Sequence, residues 1–380
     1  MARRVPRGPA RAGGGSGAVV VAPRPGARGE RVKIATLANA AVVHTWRWVE
    51  HFRARGHDVR LWSLERGPQQ LAAHALPSIR LPGLLRYPLA APALARGLEA
   101  FAPHLVDAHF VPNYGLLAAL VGRHPLSVTA WGSDLLRAGH ALKRARSRFV
   151  LERADLVLAD AENLARAARD LGAPAARVHC IPWGVDLTRY DAAAPREPGL
   201  LVSARMLEPV YDIGTVLAGV APVLRARPDA RLALAGDGSR RRALEAAAAS
   251  LLPPGRFQFV GRLDATSLAS WLSRAEIYVS ASRSDSTSVT LLEAMASGAV
   301  PVVTDLEGNR EWVDEGAGAR LFRVGDAAGL TRALDAVLSD PAWAEEARRR
   351  NRRVVEERAD RSRNLAEIES LFVGLAGRRR

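Results

Sequence analysis

Asp285 and Glu293 stand eight positions apart in the segment Ser280-Ala-Ser-Arg-Ser-Asp285-Ser-Thr-Ser-Val-Thr-Leu-Leu-Glu293-Ala-Met-Ala-Ser-Gly298-Ala-Val-Pro301-Val. The residues ahead of the loop read as a buried strand, and those from Val289 as a helix. Ser286, Thr287 and Ser288 cluster at the helix start. There their hydroxyls can cap the helix, and its free backbone N–H groups can hold a phosphate. Asp285 falls in the loop and Glu293 within the helix. Two readings stand side by side: an ordinary capped helix with an exposed Glu, or an anion-binding helix start. His44 follows the first loop of the chain, and His109 closes an apolar strand at its carboxyl edge. Both positions would face a cleft, either as polar wall residues or as acid–base groups. His57, in a helix-to-strand turn on the opposite edge, reads as structural.

The elements that must position these residues alternate. Strands are predicted over 32–37, 57–62, 105–109, 126–130, 155–159 and 178–181. Helices are predicted over 114–121, 139–151 and 162–171, with an earlier one carrying Val43, Trp46, Val49 and Phe52 at helical spacing. Residues 183–198 show no clear period and read as a linker. The alternation then restarts, with strands at 200–203, 232–235, 257–260, 277–280 and 300–304 and helices at 213–224 and 289–297. The C-terminal residues up to Phe372 read as helical. Strands this apolar imply parallel sheets covered on both faces. Two doubly wound units in tandem place a cleft between the carboxyl edges of two sheets, where ligands of such folds bind. The expected parts are a disordered basic tail (1–30, or an over-extended start), units at 31–190 and 191–355, and a helical segment at 356–380.

Composition bounds the partners. Of 380 residues, 54 are Lys or Arg and 39 are Asp or Glu, a formal net charge of +15. Lys33 and Lys143 are the lysines; every other basic residue is arginine. The excess lies in residues 1–190, which also hold all nine histidines; residues 191–380 are nearly neutral. The single Cys180 excludes an internal disulfide and a four-cysteine zinc site, and with no secretory signal a cytoplasmic setting is expected. No apolar run approaches the ~18 residues of a membrane-spanning helix. No helix-turn-helix or RNA-binding aromatic motif is visible, so the charge is not assigned to nucleic acid. The first strand runs into Asn39-Ala40-Ala41 rather than Gly-x-Gly-x-x-Gly, which argues against a dinucleotide oxidoreductase.

The segment 280–302 resembles the signature of retaining glycosyltransferases of family 4, which have the GT-B fold. That fold comprises two tandem Rossmann-like doubly wound α/β domains, an interdomain cleft and a C-terminal helix returning toward the first domain. The resemblance spans residues 32–340. It extends to Ser203-Ala204-Arg205, Ala235-Gly236-Asp237-Gly238, Phe259-Val260-Gly261-Arg262 and Gly308-Asn309-Arg310-Glu311. In the first half it includes Arg55-Gly56-His57-Asp58-Val59, Gly132-Ser133-Asp134 and Ile181-Pro182-Trp183-Gly184-Val185-Asp186. It implies that Glu293 binds the ribose hydroxyls of a nucleotide-diphosphate sugar, the donor substrate. Asp285 would lie against the donor sugar, where the family usually has Glu. Arg205 would neutralise the diphosphate, with Thr287, Ser288 and Val289 adding helix N-terminal donors. Arg262 would lie near the base, and Glu311 would belong to the donor side. Gly236 and Gly238 would either let a loop approach the nucleotide or form a simple turn. Trp131, Gly132, Ser133 and Asp134 would form part of the acceptor side, with His44 and His109 as further catalytic candidates.

Two departures from the family stand out. The phosphate-binding lysine expected five residues after the arginine is Val210, and no lysine follows Lys143. Arg283 is a candidate substitute, or a solvated loop arginine. The histidine expected before the Gly-x-Asp segment is Trp131, which cannot accept a proton. The resemblance implies a metal-independent enzyme without a cofactor, acting on a glycan or lipid-linked acceptor in cell-envelope polysaccharide synthesis. A nucleotide-sugar-binding homologue without transferase activity is the alternative. The basic helix from Arg137 to Arg148 is either a solvated face or a contact with the inner face of a membrane.

Overall fold

The computed structural model describes residues 31–77, 83–136 and 139–378. The expected tail at 1–30 and Arg137 of the basic helix lie outside the described residues. The first half runs β1 (Lys33–Leu37), α1 (Val43–Ala54), β2 (Asp58–Ser63), β3 (His74–Ala75), α2 (Gly83–Leu89) and α3 (Ala91–Phe101). It continues through β4 (Leu105–His109), α4 (Leu116–Val121), β5 (Leu126–Thr129), α5 (Ala141–Arg153), β6 (Leu156–Ala159), α6 (Glu162–Asp170) and β7 (Val178–Cys180). The second half runs β8 (Leu200–Ala204), α7 (Ile213–Ala226), β9 (Arg231–Ala235), α8 (Arg241–Leu251), β10 (Phe257–Gly261) and α9 (Ala265–Arg274). There follow β11 (Ile277–Ser280), α10 (Val289–Ser297), β12 (Val300–Thr304), α11 (Glu307–Arg310), β13 (Arg320–Phe322), α12 (Ala327–Leu338), α13 (Pro341–Arg358) and α14 (Arg361–Gly377).

Among the described residues the strands form two parallel sheets. The first has the order β3-β2-β1-β4-β5-β6-β7 and the second β10-β9-β8-β11-β12-β13. In each, the order reverses beside the first strand, so β1 neighbours β4 and β8 neighbours β11. Loops leaving these strands splay apart at the carboxyl edge and open a crevice there. His109 ends β4, Arg205 follows β8 and Asp285 follows β11, so all three lie at switch points. β4 and β11 are buried along their whole length, as a doubly covered sheet requires.

The helix after the first loop faces the core with Thr45, Trp48, Val49 and Phe52. Trp46, predicted on that face, packs half-buried against the same core. It donates its indole N–H to the Ala40 carbonyl, whereas Trp48 goes inside because its indole N–H finds the buried carboxylate of Asp107 at 2.9 Å.

α14 returns to the first half. Leu365, Ile368 and Phe372 share one core with Trp48, Val49, Phe52 and Leu158, and Phe372 stacks on Phe52 at 5.3 Å. Each such buried side chain contributes roughly 1.5–3 kcal/mol, so the three outweigh the ~1 kcal/mol of an exposed ion pair. Glu369 adds hydrogen bonds from Arg55 Nε at 2.9 Å and His57 Nε2 at 3.0 Å, which makes His57 structural, as expected. The chain thus passes between the halves twice, and the two passages run side by side. Val185 N–H donates to Ala359 O at 2.8 Å and Arg361 N–H to Val185 O at 3.1 Å. No helix among the described residues is long and apolar enough to cross a membrane.

Candidate active site

The second half contributes a compact charged cluster. Arg205 is only partly exposed, donates from Nη1 to Ser288 Oγ at 2.5 Å and pairs through Nη2 with Asp285. Its guanidinium also lies over the Tyr211 ring, 4.3 Å from the centroid. Burial works against the charge of Arg205, and the Asp285 carboxylate more than offsets it, holding the guanidinium above its ordinary range. Ser288 is the N-cap of α10 and accepts from Leu291 N–H at 3.3 Å. One hydroxyl therefore links the arginine to the helix start. The shorter Asp285 side chain reaches Arg205 without difficulty.

Glu293 lies one turn further along α10 and is buried. Burial pushes its carboxyl up, while the Tyr190 hydroxyl bonded to it and the charges of Arg47, Arg361 and Arg189 pull it back. A buried carboxylate that already accepts one hydroxyl is suited to accept others. Gly236 and Gly238 pack tightly on the loop that carries Arg205. A Cβ at Gly236 would stand 2.1 Å from the Arg205 carbonyl oxygen, and one at Gly238 2.6 Å from that of Leu207. These glycines let the two loops touch. Arg262 is exposed just beyond β10. Arg283 is also exposed and pairs with Asp212 at 2.8 Å, while Val210 sits in the short turn that brings Tyr211 under Arg205.

The first half faces this cluster with an aromatic wall. Trp131 meets Trp183 at 4.8 Å, His109 at 5.6 Å and His44 at 5.9 Å between ring centroids. His109 is buried and its Nε2 lies 3.0 Å from Asp107 Oδ2, while its Nδ1 has no hydrogen-bond partner among the described residues. This Asp107–His109 pair, on one face of β4, was not singled out in the sequence, although its i, i+2 spacing was a usable signal. His44 is pushed down to about 4 by burial and by Arg47 and Arg361, so it is neutral at physiological pH. Asp134 is buried and accepts from the N–H groups of Val111 and Trp131, both at 3.0 Å, and of Leu135 at 3.2 Å. It fixes the loop that carries Trp131. Ser133 is exposed.

Several predicted residues tie the halves together. Gly132 has φ +98°, and a Cβ there would lie 2.7 Å from Ser286 Oγ. Thr287 donates to the Asp160 carbonyl at 2.6 Å and accepts from Trp312 Nε1 at 3.1 Å. Glu311 accepts from the N–H groups of Glu162 at 2.8 Å and Asn163 at 3.0 Å, so it caps α6 of the first half. The side chains of Thr287 and Glu311 are thus committed to the seam, a placement visible only once the halves are docked. Asp160, at the same seam, has its carboxyl pushed up to about 7 by burial and by the carboxylates of Asp285 and Asp134, against a bond from Ser286. Among the described residues no group of three or more His, Cys, Asp or Glu is placed to hold a metal ion.

Residues 41–189 match the family described as Glycosyltransferase Family 4, and residues 197–340 match Glycosyl transferases group 1. The chain belongs to glycosyltransferase family 4. This glycosyltransferase is 28% identical over 299 residues to the glycogen synthase of Mycobacterium tuberculosis, covering 76% of this chain and 70% of that one. It is 30% identical over 167 residues to the phosphatidyl-myo-inositol mannosyltransferase of Mycolicibacterium smegmatis, covering 42% of each chain. Its fold is GT-B. The sucrose-phosphate synthase of Thermosynechococcus elongatus superposes with a TM-score of 0.77 at 18% identity, over 91% of this chain and 99% of that one. Anabaena Alr3699/HepE, in complex with UDP and glucose, superposes with a TM-score of 0.76 at 16% identity, over 90% and 99%.

Proposed function

We propose that this glycosyltransferase moves a sugar, with retention and without a metal ion, from a nucleoside-diphosphate sugar to a glycan or lipid-linked acceptor of the cell envelope. The observation that carries the reading is the Arg205–Asp285–Ser288 cluster at the start of α10, with Glu293 buried behind it. Arg205 and the free N–H groups of the helix receive the diphosphate, whose charge grows as the sugar departs. To do so the diphosphate replaces Asp285 as the partner of Arg205, which frees Asp285 to turn to the sugar. Glu293 accepts the ribose hydroxyls as it accepts the Tyr190 hydroxyl. The departing phosphate oxygen takes the acceptor's proton, and the protein contributes positioning and electrostatics. The UDP and glucose in the complex of Alr3699/HepE support a donor of this class.

The test is donor turnover in Glu293→Ala, with folding verified by circular dichroism. Loss of transfer and of donor hydrolysis is expected; full activity sinks the site assignment. Trp131 and Val210 favour a second reading, a homologue that binds the nucleotide sugar without transferring it, which any turnover by the wild type refutes. We also propose peripheral contact with the inner face of a membrane. α4 packs against both α2 and α5, and on these helices Leu85, Leu89, Leu120 and Leu142 are exposed beside Arg86, Arg123 and Arg144. Co-sedimentation with anionic but not neutral vesicles is the expected result.

A further inference from the structure

Two arginines meet at the seam of the halves with no carboxylate in ion-pair distance of either among the described residues. Arg47 comes from α1, and Arg361 opens α14. They line one small pocket together with His44, Trp183 and Val289, the first residue of α10. Arg361 donates to the Gly184 carbonyl at 3.1 Å, and Arg47 makes no side-chain hydrogen bond among the described residues. Arg361 is pulled down by burial and by the neighbouring Arg47, with Glu293, Tyr190 and Asp186 acting in the opposite direction. Glu293 is the nearby anion, but it takes its hydrogen bond from Tyr190 and answers to Arg47, Arg361 and Arg189 together. Arg189 is itself paired with Asp186 at 2.7 Å. The pocket therefore carries surplus positive charge beside a helix start. The indole of Trp183 forms part of its wall and shields that charge from water.

Two guanidinium groups, a helix N-terminus and a neutral imidazole match a phosphoryl group, which offers several acceptor oxygens to forked donors. We propose that Arg47 and Arg361 form a phosphoryl-binding subsite, supplying from the first half and the returning helix the charge that no lysine of the second half provides. The phosphoryl group is that of the donor diphosphate or one carried by the acceptor. This inference rests on the donor-site reading above and adds the residues that complete it.

The test uses the full-length chain, with calorimetric titration of UDP, GDP and ADP and their nucleosides into the wild type, Arg47→Gln, Arg361→Gln and Arg205→Gln. Arg47→Lys keeps the charge and serves as the conservative control. Loss of a charge-assisted bond predicts that Arg47→Gln weakens the bound nucleoside diphosphate by about tenfold or more, with the nucleoside unchanged and Arg47→Lys largely retained. If diphosphate affinity is unchanged, inorganic phosphate added to the nucleotide-bound wild type must raise its melting temperature, and this shift must vanish in both glutamine variants. That pattern assigns the subsite to a phosphorylated acceptor. Unchanged diphosphate affinity together with an unchanged or absent phosphate shift overturns the subsite. Weakening by Arg205→Gln alone then leaves the donor reading standing, whereas no binding of any nucleoside diphosphate to the wild type refutes that reading itself. Because Arg361 also bonds Gly184, the decisive variant is Arg47→Gln, which removes no side-chain hydrogen bond found among the described residues.

Discussion

Removing Arg205 tests the charged cluster most sharply, because stability and activity respond by different routes. Arg205 has 8% of its side chain exposed and Asp285 has 19%. Arg205→Met leaves the Asp285 carboxylate without its counter-charge. Breaking a buried pair in this way costs about 3–5 kcal/mol, and the residual exposure of Asp285 places the effect near the lower end, about 3 kcal/mol. The lost bond to Ser288 adds about 1 kcal/mol, although Ser288 still caps Leu291. The double variant Arg205→Met/Asp285→Asn strands no charge and is expected within about 1 kcal/mol of the wild type, about 3 kcal/mol more stable than Arg205→Met alone. Urea unfolding followed by tryptophan fluorescence reads these differences. Activity behaves otherwise. Both variants lack the cation that meets the diphosphate, and both lose about 10²–10³-fold in kcat for donor turnover, the loss typical of removing one preorganised donor. If the double variant regains activity along with stability, Arg205 serves only to hold Asp285, and the diphosphate assignment is wrong.

The remaining predictions concern pH and the seam. His44 has its pKa lowered from 6.5 to about 4. Its contribution is complete above about pH 6.5 and is lost as pH falls toward about 4, up to about 3 kcal/mol; melting curves of His44→Gln between those values should be flatter than those of the wild type. Asp160 has the opposite sign. With its pKa raised from 3.8 to about 7, the wild type is most favoured below pH 3.8 and loses stability as pH rises through about 7. Asp160→Asn should therefore melt higher than the wild type at pH 8, by the equivalent of about 2–4 kcal/mol, with the gap closing toward pH 4. Gly132→Ala introduces strain at positive φ and a contact with Ser286, and should cost about 1–2 kcal/mol. Gly139→Ala, whose added Cβ meets nothing within 4 Å, is the neutral control.

The parts of the fold legible in the sequence are those whose local signals agree with their packing. β4, β11, α10 and β12 were placed from apolar runs and from punctuation, since Ser288 caps α10 and Gly298 stops it. Other elements were passed over because their signals were mixed. The stretch that forms α8 is rich in alanine, whose small side chains make a weak apolar stripe, and it buries little beyond Ala248. α3 carries Leu94, Leu98 and Phe101 on one face, but Pro92 and Gly97 interrupt that helical period. The donor-side residues could be named individually because they lie close together along the chain. The roles of Glu311 and Thr287 at the seam, and the meeting of Arg47 with Arg361, join segments more than a hundred residues apart and follow no local spacing.

The paired passages of chain at Val185 and Asp360 have a mechanical consequence. Two bodies joined by one tether can tumble about every axis. Joined by two tethers bound to each other, they retain essentially one, the line of the bond between them. The polar contacts of Thr287 and Glu311 then act as a catch, exchangeable with water at small net cost. Arg361 sits at the pin itself, one residue past the Val185–Asp360 bridge. A phosphoryl group held there would lie where the lever arm is shortest. A slight rearrangement at the pin becomes a large displacement at the far rim, so the end of the molecule that grips the smallest group governs how wide the other end stands.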